Sequence, residues 1–342
     1  MRKHALKVLV VVALTAVFVY FFARSVKWGE VAGYVKGVNL PLFLLLFPLA
    51  LVHFATRAVR WRTLLVHEKK DIRFYPMFAA NTVGFTITFI FPGRIGEVAK
   101  PIYLARKEGI RAGFAVGTVV VERVFDIFTM CFFLGLFLLA RPLFPGLFSV
   151  TPETYKRLTF WGIAGAGIAL ALFVLIVSLY LFRERALGVI GFLLKPFPER
   201  ARRRALELTH EFIDGLKFFH SPATLLVYTL MSFGVWLGII FYYWILMFAF
   251  HVRVPYLLLV PYVFMTMIGA SIPTPGMAGG FDYFSKLGMT SILHVSPELA
   301  VGMTLVMHAI QVLVTCAAGY VILGREGVSL FQIKKMGEHE TP

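Results

Sequence analysis

Long apolar stretches alternate with short polar segments along the whole chain. Because a helix needs about 20 apolar residues to cross a bilayer, this pattern predicts an all-α fold, a polytopic bundle of membrane-spanning helices. Two stretches, 76–91 and 257–272, are short for a span. Six others have the length of a full span, at residues 5–23, 40–59, 113–140, 158–182, 222–250 and 297–323.

Each short stretch ends in a cluster of proline, glycine and charged residues, from Pro92 to Glu97 and from Pro273 to Asp282. Within a membrane, broken backbone is tolerated only where protein or a water-filled cavity satisfies the freed amides. Paired breaks of this kind are typical of transporters with a polar site near the bilayer midplane. We therefore predict two re-entrant segments that enter from opposite faces. The arrangement is similar to an inverted repeat, although the sequence itself carries no clear repeat.

The distribution of lysine and arginine supports this topology. With six crossings, two re-entrant segments and both termini in the cytoplasm, 25 of the 34 basic residues lie inside and 7 outside. Arg123 and Lys286 then lie at membrane depth. Eight full crossings would give 20 inside and 12 outside. Because cytoplasmic segments carry an excess of basic residues, the re-entrant topology is favoured.

Composition adds a strong positive charge without changing this picture. Of 342 residues 59% are hydrophobic, and the formal net charge is +16. The basic residues flank the apolar stretches, which is typical of membrane orientation and of contact with anionic headgroups, so no nucleic-acid partner is expected. Both cysteines lie in apolar stretches, and we expect no disulfide, no metal site and no cofactor.

The chain is predicted to form one transmembrane domain over residues 1–323, followed by a short cytoplasmic tail at 324–342. Within the domain, segment 197–219 places Phe212 and Leu216 on one helical face, opposite charged positions. Such an amphipathic helix lies along the cytoplasmic leaflet of the membrane. A solvated linker helix is the alternative.

Three charged residues fall early in the apolar stretch 113–140. Glu122 and Asp126 lie one helical turn apart on the same face, and Arg123 is three residues from Asp126. An ionised group at the centre of a membrane helix costs roughly 2.5–3.5 kcal/mol, so such groups normally have partners and a function. A structural ion pair near the cytoplasmic end of the helix is the alternative.

The first break is a candidate anion site. A helix that restarts there would direct its N–H groups at an anion near Gly96. Arg94 would bind phosphate, and Glu97 would pair with Arg123 or take a proton. An ordinary loop whose charges extend towards the interface is the alternative.

The second break offers backbone N–H groups and one carboxylate. Its candidate residues are Pro273, Pro275, Gly276, Gly279 and Asp282. The alternative is a helix-capping turn in which Asp282 forms a local salt bridge with Lys286.

Two helix faces carry further polar residues. His53, Arg57 and Arg60 share one face of the second span, and the planar guanidinium of arginine suits phosphate recognition, although arginine at a boundary can also serve as an anchor. The last span carries a polar stripe that includes His308, which either packs between helices or lines a pathway. By itself His308 has little claim to a catalytic role.

Motifs of known enzymes are missing from the sequence. There is no His-Glu-x-x-His, no Gly-x-Ser-x-Gly and no Walker loop. A transporter is therefore favoured over an enzyme, and transport would be driven by ions or by the lipid gradient.

Three ordered motifs resemble those of the flippase-like membrane family that shares its domain with lysylphosphatidylglycerol synthase. The resemblance covers essentially the whole chain. The motifs are Pro92-x-Arg94-x-Gly96-Glu97 followed by Lys100 and Leu104, then Glu122-Arg123-x-x-Asp126, then Pro273-Thr274-Pro275-Gly276.

The resemblance implies an integral membrane protein that moves or handles lipids. Members act on aminoacylated phospholipids, hopanoids or lipid-linked sugars, so the substrate does not carry over. The chain departs from the family pattern at Lys100, Met277 and Asp282, where arginine, glycine and glutamate are usual. Only about 19 residues follow the last stretch, so the soluble aminoacyl-transfer domain of the synthase is not expected.

The leading hypothesis is a flippase of the cell membrane that moves an anionic or phosphate-containing lipid between leaflets. Arg94 and Arg123 would hold the phosphate, and the proton carriers would be among Glu97, Glu122, Asp126 and Asp282. The alternatives are a membrane-embedded enzyme that modifies lipid headgroups and a non-catalytic partner of a lipid synthase or glycosyltransferase. Besides lipids, the expected partners are a second copy of the chain or a lipid-synthesis enzyme.

Overall fold

The structure, a computed structural model, describes residues 15–24, 26–91, 94–140, 151–196, 198–216 and 221–329. These ranges contain thirteen α-helices and no strand. The start of the first predicted span, the Pro92-Gly93 pair and most of the predicted tail lie outside them. The helices are α1 at 15–23, α2 Trp28–Lys36, α3 Leu40–Leu65, α4 Phe74–Ile90, α5 Gly96–Glu108, α6 Ala112–Ala140, α7 Pro152–Leu181, α8 Arg183–Leu193, α9 Glu199–Asp214, α10 Pro222–Ala249, α11 Leu259–Ser271, α12 Gly280–Ser291 and α13 Pro297–Glu326.

Five of the described helices are long and apolar enough to cross a membrane: α3, α6, α7, α10 and α13. They coincide with five of the six predicted spans, and the polytopic helical bundle is confirmed. Three boundaries differ by three residues or more, because α3 continues to Leu65, α7 already begins at Pro152 and α13 continues to Glu326. The extension of α3 brings Arg60 and Trp61 inside the bundle, where both are fully buried.

The helix α9 lies within the amphipathic segment predicted at 197–219, but it packs on another helix of the bundle. Its C-terminal part packs on the start of α6, where a Cβ added at Gly117 would lie 2.6 Å from the Phe212 carbonyl oxygen. Ile213 and Leu216, at its end, are buried. The apolar face therefore covers α6. The helices α2 and α8 were not predicted.

Helices α4 and α5 form a first hairpin. A Cβ added at Gly84 would lie 2.8 Å from Lys100 Cβ, and one added at Gly96 would collide with the Gly84 carbonyl oxygen. Backbone contact this close requires glycine on both helices. The two helices of the hairpin therefore contact each other through their main chains.

The base of the first hairpin is fastened by two ion pairs. Lys69 Nζ donates to Glu108 Oε2 at 2.7 Å, and Arg111 binds the carboxylate of Glu68 through two bonds of 2.6 Å. The hydrogen bonds to Glu68 raise the pKa of the Arg111 guanidinium. Since these residues lie before α4 and after α5, the hairpin enters and leaves the bundle at the same end.

Helices α11 and α12 form a second hairpin with the same construction. A Cβ added at Gly269 would lie 2.6 Å from the Gly280 carbonyl oxygen. Closer to the base, Tyr262 Oη lies 3.0 Å from Ser285 Oγ. Two helices of 13 and 12 residues thus run antiparallel in close contact.

The two hairpins enter the bundle from opposite ends of α3. The first follows the C-terminal end of α3 directly. The second follows α10, whose end lies beside the start of α3, because the Asn39 N–H donates to the Ala249 carbonyl at 2.8 Å. Their tips meet, since a Cβ added at Gly276 would lie 3.2 Å from the Phe89 carbonyl oxygen. This is the arrangement predicted for re-entrant segments.

Candidate functional site

A cluster of six charged side chains, five of them buried, lies where α3, α5 and α6 pack together. The helix α3 supplies two arginines one turn apart, α5 supplies a lysine, and α6 supplies the motif predicted to carry chemistry. Apart from Arg123, each of these side chains is at most 6% exposed. The members are Arg57, Arg60, Lys100, Glu122, Arg123 and Asp126.

Glu122 is the centre of this cluster. Its Oε2 accepts from Lys100 Nζ at 2.7 Å, and its Oε1 accepts from Arg57 Nη1 at 3.1 Å. Arg60 Nη2 lies 3.4 Å from Oε1, and Arg123 also binds it. Four cations around one carboxylate hold its charge inside an apolar bundle, which an unpaired carboxylate would not tolerate.

Asp126 is the second carboxylate of the cluster and binds arginine side chains and a tryptophan. Its Oδ1 accepts from Arg60 Nη1 at 2.7 Å and from the indole N–H of Trp236 at 3.0 Å. Arg123 Nη2 lies 3.1 Å from Oδ2. Arg60 also donates to Ser232 Oγ at 3.3 Å. The helix α10 therefore completes the cluster through residues that carry no charge.

Cations outnumber carboxylates in the cluster by four to two. The guanidiniums of Arg57 and Arg60 and the ammonium of Lys100 are buried, and Arg123 is 30% exposed. His53 does not add a fifth charge, because its Nε2 accepts from Arg57 Nε at 3.0 Å. An excess of two positive charges in a region shielded from water favours binding of an anion.

Arg94 and Glu97 stand at the tip of the first hairpin. Arg94 Nη2 lies 2.9 Å from Glu97 Oε1, so the ion pair of Glu97 is with Arg94, three residues before it, whereas the prediction was that Glu97 pairs with Arg123 or takes a proton. Arg94 has a positive φ of 55°, a strained conformation that other contacts must stabilise. The Nε atoms of Arg94 and Arg123 are buried and lack a hydrogen-bond partner within the described residues.

A cavity of about 480 Å³ lies against this cluster. Its polar end is formed by Arg57, Arg94, Glu97, Arg123 and Asp126, together with His53. Arg60 and Glu122 lie behind this wall and do not line it. Hence Arg57, Arg94 and Arg123 are the cations that a molecule in the cavity would meet, while Arg60 supports the carboxylates.

Most of the cavity wall is apolar or aromatic. Trp236, Tyr242 and Phe281 contribute rings, and Val52 and Phe241 also line the cavity. These last two are also 52% and 39% exposed on the bundle. The cavity therefore reaches the apolar outer surface.

In the second break, one of the backbone N–H groups that the sequence offers to a ligand is already used within the protein. The Gly279 N–H donates to Asp282 Oδ2 at 2.8 Å, so it is not free. Asp282 Oδ1 lies 2.7 Å from His308 Nδ1, and Lys286 instead donates to the Phe22 carbonyl at 2.8 Å. The local salt bridge considered for Asp282 and Lys286 is therefore not formed.

The prolines and glycines of the two breaks that the structure describes act through backbone geometry. Gly276 takes a positive φ of 60° in a short 3₁₀ turn at Pro275–Met277, which follows Pro273. Gly96 serves the contact with Gly84. None of these residues places a side chain in the cavity, so their contribution is to shape the hairpin tips.

Sequence reasoning undervalued three residues of the site. In the sequence, Lys100 stands out only through the family resemblance, because it lies in a segment rich in basic residues, which is typical of a loop. Ser232 and Trp236 carry no charge in an apolar stretch and gave no sign of their role. The two carboxylates Glu122 and Asp126, in contrast, are predictable, because charged residues are rare in apolar stretches.

The described residues hold no group of three His, Cys, Asp or Glu side chains placed to bind a metal ion. Of the five charged side chains on the cavity wall, three are the guanidiniums of Arg57, Arg94 and Arg123 and two are carboxylates, so the wall carries a net positive charge. Its chemistry suits a phosphate or carboxylate ligand, with which arginine forms bidentate hydrogen bonds.

The family model for the lysylphosphatidylglycerol synthase TM region matches residues 6–319. The matched range contains the ion cluster, both hairpins and every residue that lines the cavity. No curated protein matches the chain. The comparison therefore relates the site to a family of membrane proteins and not to one characterised relative.

Proposed function

This chain belongs to the lysylphosphatidylglycerol synthase TM region family, and from that premise we propose that it moves an anionic, phosphate-containing lipid between the leaflets of a membrane. The observation that carries the proposal is the cavity in which Arg57, Arg94 and Arg123 face apolar walls. A charged headgroup and an acyl chain need these two environments side by side.

The charge balance supports an anionic headgroup. The excess of two cations in the buried cluster leaves guanidinium groups without full compensation. One phosphate would supply the missing negative charge and would face the guanidinium groups of Arg57, Arg94 and Arg123, which line the cavity. A zwitterionic headgroup brings its own cation and would gain less.

The residues shared by the cavity wall and the exposed surface indicate where the acyl chains of the lipid would lie. Val52 and Phe241 belong both to the cavity wall and to the exposed apolar surface. A lipid can therefore keep its tails in the bilayer while its headgroup enters the bundle. Such lateral access removes the cost of transferring acyl chains through a polar region.

The paired hairpins support movement rather than simple binding. They approach from opposite ends of α3 and meet beside the cavity, which is the geometry of alternating access around a central site. We place the base of the first hairpin and both termini on the cytoplasmic side of the cell membrane, because the basic residues concentrate there.

The cluster gives less support to an enzyme. Acid–base catalysis needs a carboxylate free to exchange a proton with the substrate. Glu122 does not line the cavity, and Asp126 accepts from Arg60 and Trp236. Both carboxylates are occupied in holding cations.

The proposal is tested by leaflet exchange in liposomes that contain the purified protein. Labelled phosphatidylglycerol and a labelled polyprenyl phosphate serve as anionic probes, and labelled phosphatidylcholine is the zwitterionic comparison. We expect protein-dependent exchange of an anionic probe that falls at least tenfold in Arg94→Ala, whose only described ion-pair partner is Glu97. Arg157→Ala is the control, because Arg157 is 72% exposed.

Equal exchange by Arg94→Ala and Arg157→Ala would contradict the role of the cavity. No exchange of any probe would overturn the transport proposal. A covalently altered lipid after incubation would show an enzyme instead.

A further inference from the structure

His308 of α13 is held between two oxygen atoms at the tip of the second hairpin. Its Nδ1 lies 2.7 Å from Asp282 Oδ1, and its Nε2 lies 2.9 Å from the Gly276 carbonyl oxygen. Asp282 is fixed in turn, because its Oδ2 accepts the Gly279 N–H at 2.8 Å. The side chains of His308 and Asp282 are 13% and 10% exposed, so water reaches them little.

This arrangement contains an extra proton. A neutral imidazole has one N–H, whereas a carbonyl oxygen can only accept. Nε2 must therefore donate to Gly276. The contact between Nδ1 and Asp282 then needs a second proton, on the ring or on the carboxyl group. The pair holds one proton more than a neutral histidine beside an ionised aspartate.

We propose that His308 and Asp282 form a proton-binding site that couples lipid movement to a pH difference across the membrane. The proposal rests on the proposed function and adds its driving ion. Neither residue lines the lipid cavity. The proton site and the headgroup site are therefore separate, as coupling between two ligands requires.

The surroundings of His308 isolate this proton from the arginine cluster. The helix α13 packs against α2, α3, α4, α10 and α12. From α12, Asp282 is the charged partner, and Phe281 places its ring 5.3 Å away; from α4, Phe89 lies at 6.3 Å. No charged group of α2, α3 or α10 within the described residues acts on His308.

Loss of the proton would release the hairpin tip. A lone pair would then face an oxygen at 2.7 or 2.9 Å, and one of the two contacts would break. Met277 next to Gly276 has a φ of 60°, which is strained for a residue other than glycine, so the tip is a strained turn that His308 holds in place. Met277 lines the cavity, and Gly276 lies against Phe89 of the first hairpin. Proton release is thus transmitted to the cavity wall and to the contact between hairpins.

The first measurement is lipid accumulation under an imposed pH difference, with the membrane potential clamped at zero. The probe is the labelled anionic phospholipid of the exchange assay. One proton per lipid predicts about a tenfold ratio between leaflets for each pH unit, since one unit corresponds to a tenfold equilibrium factor. We expect His308→Gln and Asp282→Asn to exchange lipid without accumulating it. His251→Gln, at an exposed position, is the control and should accumulate lipid normally.

The outcomes separate this proposal from the proposed function. Exchange without accumulation in the unaltered protein would overturn proton coupling and leave transport intact. Absence of exchange would overturn both. A second experiment determines the protonation states of His308 and Asp282 directly. It uses nitrogen-15 and carbon-13 NMR of labelled protein in nanodiscs, and the two variants assign the signals. A neutral His308 beside an ionised Asp282 at neutral pH would also overturn the proton site.

Discussion

Replacement of Glu122 by glutamine tests how the buried cluster is held together. The change keeps the shape of the side chain and removes the charge on which Lys100, Arg57, Arg60 and Arg123 converge. The new amide also places a donor or a neutral oxygen 2.7 Å from the Lys100 ammonium. The cation excess rises from two to three in a region where Glu122 is fully buried.

Breaking a buried ion pair by removing one partner costs about 3–5 kcal/mol. We expect a loss of that size in Glu122→Gln, measured by denaturant unfolding in mixed micelles. The control is Glu153→Gln, because Glu153 is 75% exposed and its pair with Arg157 should contribute about 0.5 kcal/mol. The double variant Glu122→Gln with Lys100→Met removes the stranded charge and should recover part of the loss. Equal stability of the two single variants would refute this reasoning.

Two further substitutions test the hairpin and the uncharged part of the site. Gly96→Ala should lower the unfolding free energy by about 1–3 kcal/mol, because its methyl group meets the Gly84 carbonyl oxygen, whereas Gly135→Ala, in an open helical position, should raise it by about 0.5–1 kcal/mol. Similar unfolding free energies of the Gly96→Ala and Gly135→Ala variants would contradict the close hairpin contact. Trp236→Phe removes a hydrogen bond to Asp126 and should cost about 1.5–3 kcal/mol in the same unfolding assay, and an unchanged value would mean that this bond does not position the carboxylate.

The helices and the central charges were predictable because each leaves a strong local pattern. Apolar length identified the spans, and the cost of a charge in an apolar stretch pointed to Glu122 and Asp126. The short stretch 76–91, flanked by basic residues, predicts a segment that returns to the side it entered, and the ion pair between Lys69 and Glu108 closes the base of that first hairpin.

The pairing of these charges was not predictable, since it depends on helices that meet only in the folded chain. Lys100 lies 22 residues from Glu122, and His308 lies 26 residues from Asp282. His308 had little claim to a role by itself because its meaning comes from Asp282 and from the tip of a hairpin. The short helix α2 is not predictable for a different reason, since nine residues are too few for a periodic pattern or for the length of a span.

The contact of the two hairpin tips also bears on the electrical insulation of the membrane. Because Gly276 lies against Phe89, the tips of the two hairpins share one contact. In the proposed transport cycle, opening either hairpin would break this contact from one side while the other hairpin stays in place. A headgroup would then pass without a continuous water channel, and the membrane would keep its ion gradients during each cycle.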